Sequence, residues 1–144
     1  MIVVIFQVFI MTAEPVRVRS VFSSGLFAGK VALVSGGGTG IGLRTARELA
    51  RLGCRVFIAA RRFNLLETAA QSINNSLPPP PAGHGAWAVP VELNIRDTTS
   101  IENCIQTVLS QSGGKIDYLV SYPRRTPHVI IQLFIFYILF IKGQ

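Results

Sequence analysis

Few residues in this 144-residue chain can hold a metal or form a cross-link: there are two cysteines and two histidines. Cys54 and Cys104 lie fifty positions apart, with no Cys-x-x-Cys and no histidine cluster. That spacing excludes a zinc module and a disulfide scaffold. Charge is also sparse, at 15% of residues, and acids are the scarcer sign, 7 against 14 basic residues, for a net charge of +7. Long apolar runs are missing too. The mean hydropathy of +0.45 is concentrated in Ile2–Met11 and Val129–Ile141. Neither run reaches the roughly 18–20 apolar residues that span a bilayer, so a transmembrane helix is disfavoured. Ile2–Met11 has the length of a signal-peptide core, but no basic residue precedes it and no clear small-residue cleavage site follows. It therefore reads as an extension, not a secretion signal.

The basic residues form no run. Arg61-Arg62 and Arg124-Arg125 are the adjacent pairs, and aromatics do not interleave with them. A single-stranded nucleic-acid surface would need that interleaving, so nucleic acid is not expected. Two readings of the excess stay open: ordinary solubility charge, or an anionic partner such as a phosphate-bearing cofactor. With 49% hydrophobic residues the chain can build one packed domain, but its length does not allow two.

From Lys30 onward the pattern is regular. Val31–Val34 is a short apolar run ending in glycines, as expected of a strand buried on both faces. Leu43, Ala46, Leu49 and Ala50 follow at helical spacing, and Gly53 stands where a helix end wants positive φ. Val56–Ala60 is a second buried strand. Asn64 is a candidate cap for a helix carrying Leu66, Ala69, Ala70, Ile73 and Leu77. Four prolines, Pro78–Pro81, end that helix and open an exposed loop. Trp87–Leu93 is a third strand, and Pro90 within it points to a sheet edge. Thr99-Ser100-Ile101-Glu102 fits a capping box, Gly113-Gly114 closes the helix behind it, and Ile116–Val120 is a fourth strand. The β-α-β-α-β-α-β order predicts an α/β fold: a Rossmann-like, doubly wound parallel sheet that stops after about the fourth strand. The expected organisation is an extension over 1–28, a nucleotide-binding half-domain over 29–121 and an apolar tail over 122–144.

The most informative residues are Ser35-Gly36-Gly37-Gly38-Thr39-Gly40-Ile41-Gly42, placed between the first strand and the first helix. Glycines there turn the chain tightly and let backbone approach a pyrophosphate, while the helix N-terminus favours its charge. A glycine turn that merely allows close packing is the plain alternative. No Lys-Ser/Thr follows the last glycine, so a P-loop fits less well. Arg61 and Arg62 end the second strand, where an adenosine ribose would sit. Ala60 occupies the position at which an acid would bind the 2′-hydroxyl of NAD. Guanidinium is the natural partner of a 2′-phosphate, so NADPH is favoured over NADH. Solvated surface arginines remain the alternative. Asn94, after the third strand, is a candidate for the adenine edge, or else a turn-former before Asp97.

These residues carry a resemblance. Ser35–Gly42 resembles the Thr-Gly-x-x-x-Gly-x-Gly motif of short-chain dehydrogenases/reductases, with Ser35 in place of Thr. Asn94-Ile95 resembles the Asp-Val or Asn-Ile after that family's third strand, and Leu119-Val120 the lead-in to its Asn-Asn-Ala-Gly. Within the family, Gly25-Leu26-Phe27-Ala28-Gly29-Lys30-Val31, Leu52-Gly53-Cys54 and Leu93-Asn94-Ile95-Arg96 look most like the peroxisomal trans-2-enoyl-CoA reductases. The resemblance covers about residues 20–120. It implies NADPH as cofactor, with Ser35, Gly36, Gly38, Thr39, Gly40, Ile41, Gly42, Arg61, Arg62 and Asn94 binding it. It implies an enoyl-CoA substrate reduced at its double bond in fatty acid elongation, and a peroxisomal location.

The family pattern stops at Val120. Ser121-Tyr122-Pro123-Arg124 stands where Asn-Asn-x-Gly is expected, and no Tyr-x-x-x-Lys occurs. No catalytic residue is carried over, and no metal ligand is proposed. The expectation is a cofactor half without turnover, with a non-catalytic NADP(H)-binding fragment or a partner of a complete subunit as the alternative. Homo-oligomerisation is left open. Val129–Ile141, apolar but for Gln132, reads as sequence foreign to the fold. Lys142-Gly143-Gln144 is not a Ser-Lys-Leu type signal, so the compartment is otherwise cytoplasmic.

Overall fold

A computed structural model of the chain describes residues 21–121. The two apolar ends, the Arg124-Arg125 pair and the tail expected over 122–144 lie outside the described residues, whereas the expected boundary between residues 28 and 29 falls inside them.

Seven elements alternate: β1 Val31–Ser35, α1 Gly40–Arg51, β2 Arg55–Ala60, α2 Phe63–Asn75, β3 Ala88–Glu92, α3 Thr98–Ser112 and β4 Tyr118–Ser121. The strands form one sheet in the order β3-β2-β1-β4. Every pairing is parallel, with Val31 opposite Arg55, Ala32 opposite Tyr118 and Val56 opposite Ala88. The expected α/β class and doubly wound sheet are therefore present.

Alternation along the strands splits the core in two. Val31, Leu33, Phe57, Ala59 and Val91 point to the face covered by Ile101, Cys104, Ile105 and Val108 of α3. Ala32, Val34, Val56 and Ile58 point to the other face, covered by Ala46 and Ala50 of α1 and by Leu66, Ala69, Ala70 and Ile73 of α2. Both faces of β1 and β2 are thus dry, which is why these strands read as unbroken apolar runs instead of alternating ones. Pro90 sits in β3, at the sheet edge as its missing N–H requires.

Two caps differ from expectation. Asn64 does not cap α2: the helix starts at Phe63 with Arg62 as N-cap, and Asn64 Oδ1 instead accepts from the Leu65 amide at 3.0 Å. Thr99 does not open a capping box. Asp97 is the N-cap of α3 and accepts from the Thr99 amide at 3.1 Å, which moves the helix start forward. Asp97, standing just before the first turn, accepts from a free amide of that turn and adds charge favourable to the dipole. Ser100 then turns its Oγ to the Asn94 amide, 2.9 Å away.

Two polar contacts lock the sheet's amino end. Asp117 Oδ2 accepts from the Val31 amide at 2.8 Å, and its carboxylate pairs with Lys30 and Lys115 at 3.4 and 3.5 Å. Partial burial pushes this carboxyl up, but the Val31 amide and the two lysines together hold it below its ordinary value. Asn74 of α2 grips β3 by exchanging two bonds of 2.9 Å with the amide and carbonyl of Ala88.

Candidate functional site

The loop between β1 and α1 lies at the carboxyl rim of the sheet. Ser35 ends β1 and is buried, its Oγ 3.4 Å from that of Ser121 across the β1–β4 pairing. Gly36 turns the chain with φ +74°, a left-handed conformation that a side chain resists, and its amide donates to Ala59 O at 2.7 Å. The chain then runs tight against the core. A Cβ on Gly37 would stand 2.8 Å from Ile58, and one on Gly38 would stand 3.2 Å from Leu66. Gly37 was not among the residues singled out from the motif, although the crowding there is severe. Its place inside the glycine run was the available signal.

The helix begins at Gly40, so Gly40, Ile41 and Gly42 form its first turn. Gly42 packs directly under the loop: a Cβ there would collide with the carbonyl oxygen of Gly36. Thr39 is the N-cap, yet its side chain makes no capping bond, and no acid stands in the first turn. Ile41 projects outward, 69% exposed. A helix end with free amides, no internal anion and glycine on both sides has the local chemistry of a phosphate cradle.

Parallel register brings the second strand's end beside this loop. Ser35 lies opposite Ala59, and Arg61 follows two residues later. Arg61 and Arg62 are both exposed, and neither guanidinium has a partner among the described residues. They offer two free cations roughly one strand spacing, about 5 Å, to the side of β1. Glu92 of β3 lies opposite Ala60, and the Leu93 amide donates to Ala60 O. Asn94 therefore reaches the same rim, about two strand spacings from β1. Its Oδ1 accepts from the Arg96 amide at 3.2 Å, so the turn-forming role is filled by that oxygen. An open groove of about 430 Å³ runs along the outer side of β3, lined by Phe63, Pro90, Glu92 and α3 residues such as Thr99 and Asn103. None of the glycine-loop residues lines it. Among the described residues no three His, Cys, Asp or Glu side chains gather to hold a metal, and no helix is long and apolar enough to cross a membrane.

A family model for short chain dehydrogenases matches residues 30–122. The chain belongs to the short-chain dehydrogenase family. That family consists of oxidoreductases using a nicotinamide cofactor. A probable 2,4-dienoyl-CoA reductase of Caenorhabditis elegans is 35% identical over 74% of this chain and 32% of its own length. The peroxisomal 2,4-dienoyl-CoA reductase of Danio rerio is 29% identical over 70% of this chain and 31% of its own. Among solved structures, the citronellol catabolism dehydrogenase of Pseudomonas aeruginosa superposes with a TM-score of 0.61 at 33% identity, covering 69% of this chain and 38% of that one. Actinorhodin polyketide ketoreductase, solved with NADPH, gives 0.57 at 32% identity, covering 67% and 33%. The chain spans about a third of the length of the curated relatives it matches.

Proposed function

We propose that residues 35–42 cradle the pyrophosphate of NADPH, that Arg61 and Arg62 take its 2′-phosphate, and that Asn94 lies at the adenine edge. The observation that carries this reading is the first turn of α1, which has no side-chain cap, no acid, and glycine packed beneath it. The residues present suit the group: a Cβ at Gly42 would fill the approach to the loop, and two unpaired guanidiniums stand one strand away. When bound, NADPH supplies the hydride that a reduction needs. The chain's own part is to bind and orient it. The helix amides and dipole hold the diphosphate, and the arginines select the phosphorylated nucleotide.

The substrate we propose is an unsaturated fatty acyl-CoA, reduced at a carbon–carbon double bond, with trans-2-enoyl-CoA favoured by the motif resemblance. The names of the relatives favour a second reading, a 2,4-dienoyl-CoA. The peroxisome is the compartment proposed, since several relatives carry it in their names. Because no Tyr-x-x-x-Lys occurs in the 144 residues, they bind nucleotide without turning substrate over.

Fluorescence titration of the 144-residue chain tests this. NADPH quenches saturably, and Arg61→Ala weakens it about tenfold or more, as expected for a charge-assisted phosphate contact of about 1.5–3 kcal/mol, while NADH is unaffected. Equal affinity of the wild type for both nucleotides removes the phosphate assignment. Adding crotonyl-CoA or a 2,4-dienoyl-CoA leaves the NADPH unconsumed; consumption would show that the chain carries its own acid.

A further inference from the structure

The proline run between α2 and β3 plays no part in the nucleotide reading, yet it is held in a definite way. Leu77 and Pro80 are half-buried, whereas Pro78, Pro79 and Pro81 are exposed. Each of residues 77–80 precedes a proline and the proline ring fixes φ at about −65°, which confines the run to the polyproline II region, with Leu77 and Pro80 turned toward the protein. Leu77 packs against the core on the inward edge. Pro78 and Pro81, three apart, share an outward edge, with Pro79 beside them.

Both ends are pinned. Ser76 Oγ bonds Ile73 O at 2.8 Å at the helix end. The Trp87 indole donates to Pro78 O at 2.7 Å, and the His84 amide donates to Pro81 O at 3.0 Å. The imidazole of His84 rests against Trp87 with ring centres 4.5 Å apart. The carbonyls of Pro79 and Pro80 have no donor among the described residues. The segment is thus preordered, rich in acceptors, and without an amide donor from Pro78 to Pro81.

We propose that Pro78–Pro81 is a docking site for a protein module whose aromatic-lined groove reads polyproline, with Trp or Tyr donors reaching the free carbonyls. Such grooves exploit a ligand whose ordering entropy is already spent. Between Ser72 and Ala86 there is no Lys, Arg, Asp or Glu. The partner therefore recognises proline rings and carbonyls and not a flanking charge, which singles out grooves of the WW or EVH1 kind. The loop feeds the amino end of β3, whereas the glycine loop leaves the carboxyl end of β1. A five-residue strand separates the two rims by about 15 Å, so a docked module leaves the nucleotide site open.

The test is a calorimetric titration of isolated WW and EVH1 modules into the 144-residue chain. One of them binds saturably, and the Pro78→Ala/Pro81→Ala double variant weakens that binding about tenfold or more. A free peptide of residues 76–82 competes for the module, which gives a readout independent of the domain's folding. Far-UV melting of the double variant stays close to wild type, because both rings are exposed. Absence of saturation by either module up to about a millimolar, or equal binding by the double variant, overturns the proposal. Neither result bears on NADPH binding, which has its own titration.

Discussion

Gly42→Ala is the sharpest probe of the glycine loop. In an ordinary helix, Gly→Ala stabilises by about 1 kcal/mol, because alanine has less backbone entropy to lose. Here the added Cβ collides with the Gly36 carbonyl oxygen, lies 2.8 Å from the Gly36 carbonyl carbon and 3.3 Å from Gly37 Cα. All three are backbone atoms, so no side chain can swing aside. Gly36 is itself tied to Ala59 O at 2.7 Å, and Gly37 rests on Ile58. Relief must come from lifting the loop off the helix, an overpacking cost of about 1–3 kcal/mol. Set against the propensity gain, the net is a loss of up to about 2 kcal/mol, or a fall in melting temperature of up to about 10 °C for a domain of this size. The same displacement removes the close approach needed by a pyrophosphate, so NADPH affinity falls more than stability does. Gly40→Ala is the control. Its φ of +57° carries a left-handed penalty of about 1–2 kcal/mol, but nothing lies within 4 Å of the added carbon. Thermal melts and NADPH titrations of the two variants decide the matter. A Gly42→Ala chain as stable as wild type and binding NADPH equally well refutes the account of the loop.

Asp117 has a folded pKa below its ordinary value. Its contribution is present above the unfolded value of about 3.9 and is lost as pH falls through the folded one. Asp117→Asn should therefore be less stable near neutrality and show a shallower acid limb in chemical denaturation. Cys54 and Cys104 behave oppositely, since burial pushes both thiols up to about 12. They stay inert to a thiol reagent in the folded chain and react on unfolding. Stability declines as pH rises above about 8.5, where unfolded thiols ionise first. Asn74→Ala strands the amide and carbonyl of the buried Ala88 and should cost about 2–3 kcal/mol by urea titration. A loss below about 0.5 kcal/mol would mean that water replaces the amide.

Much of the fold was legible because it follows from periodicity. Runs such as Val31–Val34 and Val56–Ala60 are apolar on both faces, and the helices between them keep a 3.6-residue stripe. Together these dictate strands that need cover on both sides. Pro90 announced the sheet edge through its missing donor. The caps were less legible. Asn64 and Thr99 are good capping residues, but several polar groups compete for the same free amides, and the winner depends on where the preceding strand delivers the chain. Asp97 rather than Thr99 is the outcome for α3.

The glycine motif divides along the same line. Local composition alone dictated that residues 35–42 form a tight turn opening a helix, because only glycine tolerates the backbone demanded there. That Gly37 must be small is a tertiary fact, imposed by Ile58 from another strand. Parallel register, which no local window contains, brought Arg61 beside the loop and set Asn94 farther along the same rim. The inward edge of the proline run was likewise decided by what lies beneath it. Short-range sterics act within a few residues and can be read in order; contacts between distant strands appear only when the sheet has closed.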